Sequence, residues 1–138
     1  MRSQPYDGLM IDDQLHRQLV REYLDEVDDV LADFDVTLGN LSAGSADTTA
    51  EGKRLFAAFS VLRAQGRGLE MTFMDLALHL LCDYLEELTQ STPTVLEDLQ
   101  QYSTIVRSLV ERSVRNEDGS ALTRSLPART PSNLDNVI

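Results

Sequence analysis

Cysteine occurs once in these 138 residues, at Cys82, and tryptophan does not occur at all. A single thiol leaves no internal disulfide and no cysteine-rich zinc site. Aromatic residues make up only 6%, with seven glycines and four prolines, so nothing suggests a β-sandwich or a fibrous protein. Positive charge is scarce too: 12 Lys and Arg stand against 23 Asp and Glu, a formal net charge of −11. That balance argues against a phosphate backbone or an anionic lipid surface, so neither nucleic acid nor membrane is expected as a partner, and another protein is. No apolar run approaches the roughly 18 residues of a membrane span. Met1 to Asp7 lacks the charged and then apolar order of a signal peptide, so a cytoplasmic location is expected. What the chain does have is 42% hydrophobic residues over a length suited to one packed domain, with no internal repeat.

Those apolar residues recur at helical spacing. From Met10 to Leu41 they fall at Leu15, Leu19, Tyr23, Val27, Val30, Leu31, Phe34, Leu38 and Leu41, intervals of mostly three and four that mark one helix face. The same segment carries nine Asp and Glu against Arg17 and Arg21, leaving an acidic outer face. Ser42 to Thr49 is small and polar and reads as a loop with Ser45, Asp47 or Thr48 as N-caps. A second helix is predicted from about Ala50 to Gln65, with Leu55, Phe56, Phe59 and Leu62 in its stripe, and Lys53, Arg54, Arg63 and Arg67 make it the most basic stretch in the chain. Gly66 and Gly68 should end it. A third helix is predicted from Met71 or Thr72 to about Thr89, and a fourth from Pro93 to about Arg115, with Glu97 and Asp98 early in it to suit the helix dipole. Periodicity ends at Asn116. The expected organisation is a flexible N-terminus over 1–9, a helical domain over 10–115 and a disordered tail over 116–138. Four amphipathic helices on short loops bury their stripes against one another most economically as an all-α, up-down antiparallel four-helix bundle with a flexible C-terminal tail.

Motifs that carry chemistry are missing. There is no Gly-rich phosphate loop, no His-Glu-x-x-His, no paired Cys and no Gly-x-Ser-x-Gly, so an enzyme is not expected. His16 and His79 each stand alone among non-ligand neighbours, and neither a metal site nor a cofactor is expected. Helical arithmetic does assemble two polar stripes. Phe56, Ser60, Arg63 and Arg67 lie four, three and four apart on the second helix, and Asp75, His79, Cys82 and Glu86 lie four, three and four apart on the third. If the two helices form a hairpin, these stripes adjoin in a patch with an apolar centre and a mixed-charge rim, which suits transient protein docking.

The stretch Leu55 to Leu88, LFAAFSVLRAQGRGLEMTFMDLALHLLCDYLEEL, resembles the histidine-containing phosphotransfer (HPt) domain, in the version found at the N-terminus of chemotaxis-type histidine kinases. That family reads approximately Phe-x-x-Ala-His-x-x-Lys-Gly on one helix, then a Gly-rich bend, then His-x-x-Glu-x-x-x-(Asp/Glu) on the next. With Phe56 on the motif's Phe, Ser60 stands at the phosphorylated His, Arg63 at the Lys and Ala64 at the Gly. His79 falls on the second-helix His, Cys82 on the Glu and Glu86 on the following acid. The acidic Tyr23 to Leu31 segment is similar to the family's first helix, so the resemblance covers roughly residues 15 to 115.

The resemblance implies a degenerate active site. The family's chemistry needs an imidazole nucleophile, oriented by a carboxylate, with a cation near the phosphoryl group. Ser60 offers a hydroxyl, which does not form the labile phosphoramidate of a relay, and Cys82 removes the carboxylate, while Arg63 retains the charge. The function implied is a non-catalytic pseudo-phosphotransfer module, a monomer or homodimer that docks a response-regulator receiver domain or a histidine kinase through Phe56, Ser60, Arg63, Arg67, Asp75, His79, Cys82 and Glu86. Two other readings stand beside it: a structural or dimerisation bundle unrelated to phosphorelay, and a Ser60 that accepts phosphate from a kinase. Each residue also has a plain structural reading. Cys82 can be a small packing residue, Phe56 a core residue and His79 a half-buried surface histidine.

Overall fold

A computed structural model describes residues 5–115 and 117–131, with side chains from residue 13 onward. It contains five helices: α1 (Pro5–Ser42), α2 (Thr48–Gly66), α3 (Thr72–Glu86), α4 (Pro93–Val114) and α5 (Ser120–Thr123). No strand occurs among the described residues. The four long helices are joined by five, five and six residues, connections short enough to make sequence neighbours antiparallel. Each long helix packs on the two beside it, α1 and α3 both against α2 and α4, which closes the ring of a four-helix bundle. The all-α architecture expected from periodicity is the observed one.

Local chemistry fixes the helix ends. Gly44 takes a positive φ of 74°, and the bonds from its N–H to the Leu41 carbonyl (3.1 Å) and from Ser45 N–H to the Asn40 carbonyl (2.9 Å) close α1 in a Schellman motif. Pro93 opens α4 behind Thr92, whose side-chain oxygen accepts from Val95 N–H at 3.2 Å. Gly66 ends α2, one residue beyond the predicted end, and the two following turns pass through Gly68 at φ 85° and Glu70 at φ 60°.

The core runs the length of the ring. Leu31 and Phe34 of α1, Leu55 and Phe59 of α2, Leu81 and Tyr84 of α3, and Leu99 and Tyr102 of α4 belong to one buried cluster. Two edge-on aromatic pairs bridge it, Phe34 with Phe59 at 5.4 Å between ring centroids and Tyr84 with Tyr102 at 5.8 Å. Outside it, the acidic α1 and basic α2 meet through Arg54, whose guanidinium reaches Asp33 at 2.6 Å and Thr37 at 2.6 Å. Arg107 of α4 likewise reaches Asp35 at 2.8 Å. Both pairs are substantially exposed and contribute roughly 0–1 kcal/mol each.

Three differences from the sequence reading have clear causes. Helix α1 starts at Pro5, inside the segment expected to be flexible over 1–9; proline suits a first helical position, and residues 1–4 lie outside the described residues. The apolar face of α1 is buried only from Tyr23 on, since Leu15 and Leu19 remain 53% and 43% exposed. At 1.5 Å per residue α1 is about 57 Å long, whereas its partners α2 and α4 are about 28 and 33 Å, so they do not extend along its first turns. Thirdly, the tail read as disordered over 116–138 packs on the bundle over 117–131, while residues 116 and 132–138 lie outside the described residues. Leu126 is buried, Gly119 lies so close to α4 that a Cβ there would meet Leu109 at 2.5 Å, and Arg129 pairs with Asp98 at 2.8 Å. None of these contacts is periodic, so no pattern in the sequence announces them.

Candidate functional site

The α2/α3 hairpin brings part of the two polar stripes together. Leu55, Phe59 and Leu62 turn the inner face of α2 into the core, which leaves Ser60 and Arg63 on the flank toward α3. On α3, Leu78, Leu81 and Leu85 do the same and place Cys82 and Asp75 opposite. Ser60 Oγ lies 3.8 Å from Cys82 Sγ, a weak hydrogen bond in which either atom can donate. Arg63 Nε lies 3.7 Å from Asp75 Oδ1, an ion pair too long to be a hydrogen bond, and that nitrogen is buried with no hydrogen-bond partner. The rest of the Arg63 side chain remains 27% exposed.

The other stripe residues are placed differently. His79 is exposed and faces Asp83 at 3.5 Å along its own helix. Phe56 is half-buried and packs against the core, as the plain reading of that residue would have it. Glu86 is the exposed last residue of α3. Arg67 follows the end of α2 and lines an open groove toward α1 with Tyr23, Glu22 and Glu26, on the side away from α3. Four of the eight residues, Ser60, Arg63, Asp75 and Cys82, therefore share direct contacts across the hairpin.

The chemistry of this cluster is quiet. Burial pushes the Cys82 thiol above its ordinary pKa, and the Ser60 hydrogen bond and the Arg63 charge offset that only in part. The thiol is thus protonated at neutral pH and a poor nucleophile. Among the described residues the Ser60 hydroxyl is bonded to the Cys82 sulfur and to no base. Among the described residues no three His, Cys, Asp or Glu side chains are grouped to hold a metal ion. No helix among them is long and apolar enough to cross a membrane. What the cluster offers at the surface is the exposed part of the Arg63 side chain and the half-buried Ser60 hydroxyl; the Cys82 thiol, predicted as a docking residue, is buried beneath them.

Sequence reasoning missed a second polar constellation. Asp98, read as an acid suited to the start of α4, is 3% exposed and faces α3 and the C-terminal segment. Its carboxylate accepts from Tyr84 Oη at 2.7 Å and from Arg129 Nε and Nη2 at 3.0 and 2.8 Å. The only available signal was its position in the α4 stripe, next to Leu99 and three after Val95. No family model matches the chain, and neither a curated protein nor a solved structure matches it.

Proposed function

We propose that this chain is a pseudo-phosphotransfer module that docks a response-regulator receiver domain or a histidine kinase through the α2/α3 face and modulates it without carrying phosphate. The observation that supports this reading is the contact of Ser60 with Cys82 beside Arg63. In the HPt family that the sequence resembles, those positions hold the phosphorylated imidazole, its orienting carboxylate and a cation. Here the cation remains and the nucleophile and carboxylate do not. A serine phosphate would be an ester without the transfer potential of a phosphoramidate, so the surface serves recognition and not relay. Helix-flank recognition fits the remaining features, a half-buried Phe56 on α2 together with the partly exposed Arg63 and the exposed Asp75 and His79.

The test is a phosphotransfer reaction with an active histidine kinase and its receiver. The protein takes up no phosphate, acid-labile or acid-stable, yet changes the rate of transfer to the receiver. Acid-stable phosphate on Ser60 would replace this reading by a phosphoacceptor, and an unchanged rate with every kinase and receiver of the same genome would remove it. A second reading, a dimerisation bundle, is favoured by one observation, the exposed Leu15 and Leu19 on α1. Under that reading Leu15→Glu with Leu19→Glu converts a sedimenting dimer to monomer, and changes in the Ser60 patch do nothing.

A further inference from the structure

The groove between α3 and α4 is built around a charge. Asp98 is nine-tenths buried and its two oxygens are engaged by one phenol and one guanidinium, so the site is a formed socket and not a surface acid. A buried carboxylate without its cation is strongly destabilising, and a fork of two N–H groups satisfies both oxygens where a lysine ammonium would not. Asp83 and Glu97 add negative field around the same seat.

The occupant is the chain's own segment Leu126-Pro127-Ala128-Arg129, held much as a bound peptide would be. Leu126 is the apolar anchor at 7% exposure. The Tyr102 hydroxyl donates to the Pro127 carbonyl at 3.5 Å, the Gln101 side chain donates to the Ser125 carbonyl, and Arg129 enters the Asp98 socket. Upstream, the segment is tied to the bundle by the four-residue helix α5, by the close approach of Gly119 to Leu109 and by a hydrogen bond from Arg112 to the Asp118 carbonyl at 3.0 Å. A short segment that lies outside the ring of four helices can open locally without unfolding the ring, and the open state exposes a socket that demands a guanidinium.

We propose that the α3/α4 groove is a peptide-binding site for an extended segment of a partner protein bearing an apolar residue, a proline, one spacer and an arginine, and that residues 126–129 are its resident competitor. The net charge of −11 draws such a cationic segment in, and the buried Asp98 fixes its register. Because the resident segment is tethered, its effective concentration is high and the incoming ligand binds the intact chain weakly. This site is separate from the α2/α3 patch and does not depend on the function proposed for it.

The test uses the full chain carrying Leu126→Ala and Arg129→Ala, with circular dichroism to show that it remains folded. The probe is a fluorescent peptide of residues 125–131, and versions with its arginine replaced by lysine or alanine. The expected result is binding at least tenfold tighter to the double variant than to the unaltered chain, one peptide per monomer, reduced by the lysine peptide and lost with the alanine peptide. Asp98→Asn in the same background abolishes the preference for arginine; if that triple variant does not fold, the ranking of the three peptides on the double variant decides alone. Equal binding of all three peptides, or none to the folded double variant, overturns the proposal. Binding that occurs only with dimer formation overturns it in favour of segments exchanged between copies.

Discussion

The two flanks of α3 solve opposite problems. On the flank toward α2, polar groups meet loosely: a 3.8 Å contact between Ser60 and Cys82, and an arginine nitrogen that Asp75 approaches only to 3.7 Å. On the flank toward α4, Asp98 is bonded by Tyr84 and, bidentately, by Arg129. Both border the same helix and the same core, so the difference lies in how completely the polar groups are satisfied. A saturated network holds elements together, whereas a loosely bonded one leaves side chains such as Arg63, 27% exposed, free to rearrange toward another molecule.

The largest expected effect is on the saturated side. Arg129→Ala leaves the Asp98 carboxylate, 3% exposed, with one phenolic donor, and should lower stability more than either Tyr84→Phe or Ser60→Ala. Urea denaturation measures it, and hydrogen exchange in residues 117–131 should rise well above that in α2.

Alkaline pH should act next. Burial, reinforced by the negative charge of Asp75, pushes the Tyr23 hydroxyl up to about 12, and burial with Asp98 nearby also raises Tyr84 and Tyr102. A phenol whose folded pKa is raised holds its proton in the native state while the unfolded chain ionises from about pH 10. Its contribution is therefore full below pH 10 and is lost as pH climbs to about 12, up to about 3 kcal/mol for Tyr23. Denaturation midpoints followed with tyrosinate absorbance check this: the three phenols should ionise together with unfolding.

Smaller changes sharpen the contrast. Tyr84→Phe removes one hydrogen bond to a charged, buried acceptor and should cost about 1–2 kcal/mol. Ser60→Ala removes only the weak contact to sulfur and should shift stability by less than about 0.5 kcal/mol. A Ser60→Ala cost as large as that of Tyr84→Phe would erase the distinction between the two flanks.

What could be read from sequence follows from the physics of each feature. Stripes such as Leu55, Phe59, Leu62 and Leu78, Leu81, Leu85 repeat with the helix, so element order, most boundaries to within a few residues and the core were legible. The adjacency of Ser60 and Cys82 followed from the same arithmetic applied to a hairpin. Periodicity is silent on how far a partner helix reaches, which is why Leu15 and Leu19 read as buried and are not. It is equally silent on a single ion pair between Asp98 and Arg129, 31 residues apart, the second in a stretch with no repeat. Arg67 reads as part of the patch because one more turn of helix would carry it there, but α2 ends at Gly66.

The most direct measurement of the central claim is a titration of isotopically labelled protein with receiver and kinase domains from the same genome, following backbone amide shifts with and without a phosphoryl mimic on the receiver. Docking through the α2/α3 face predicts shifts confined to Phe56, Ser60, Arg63, Asp75, His79 and Cys82, abolished by Arg63→Glu in a protein that remains folded. Amides of this face that stay still with every receiver and kinase, or shifts that survive Arg63→Glu unchanged, would contradict it.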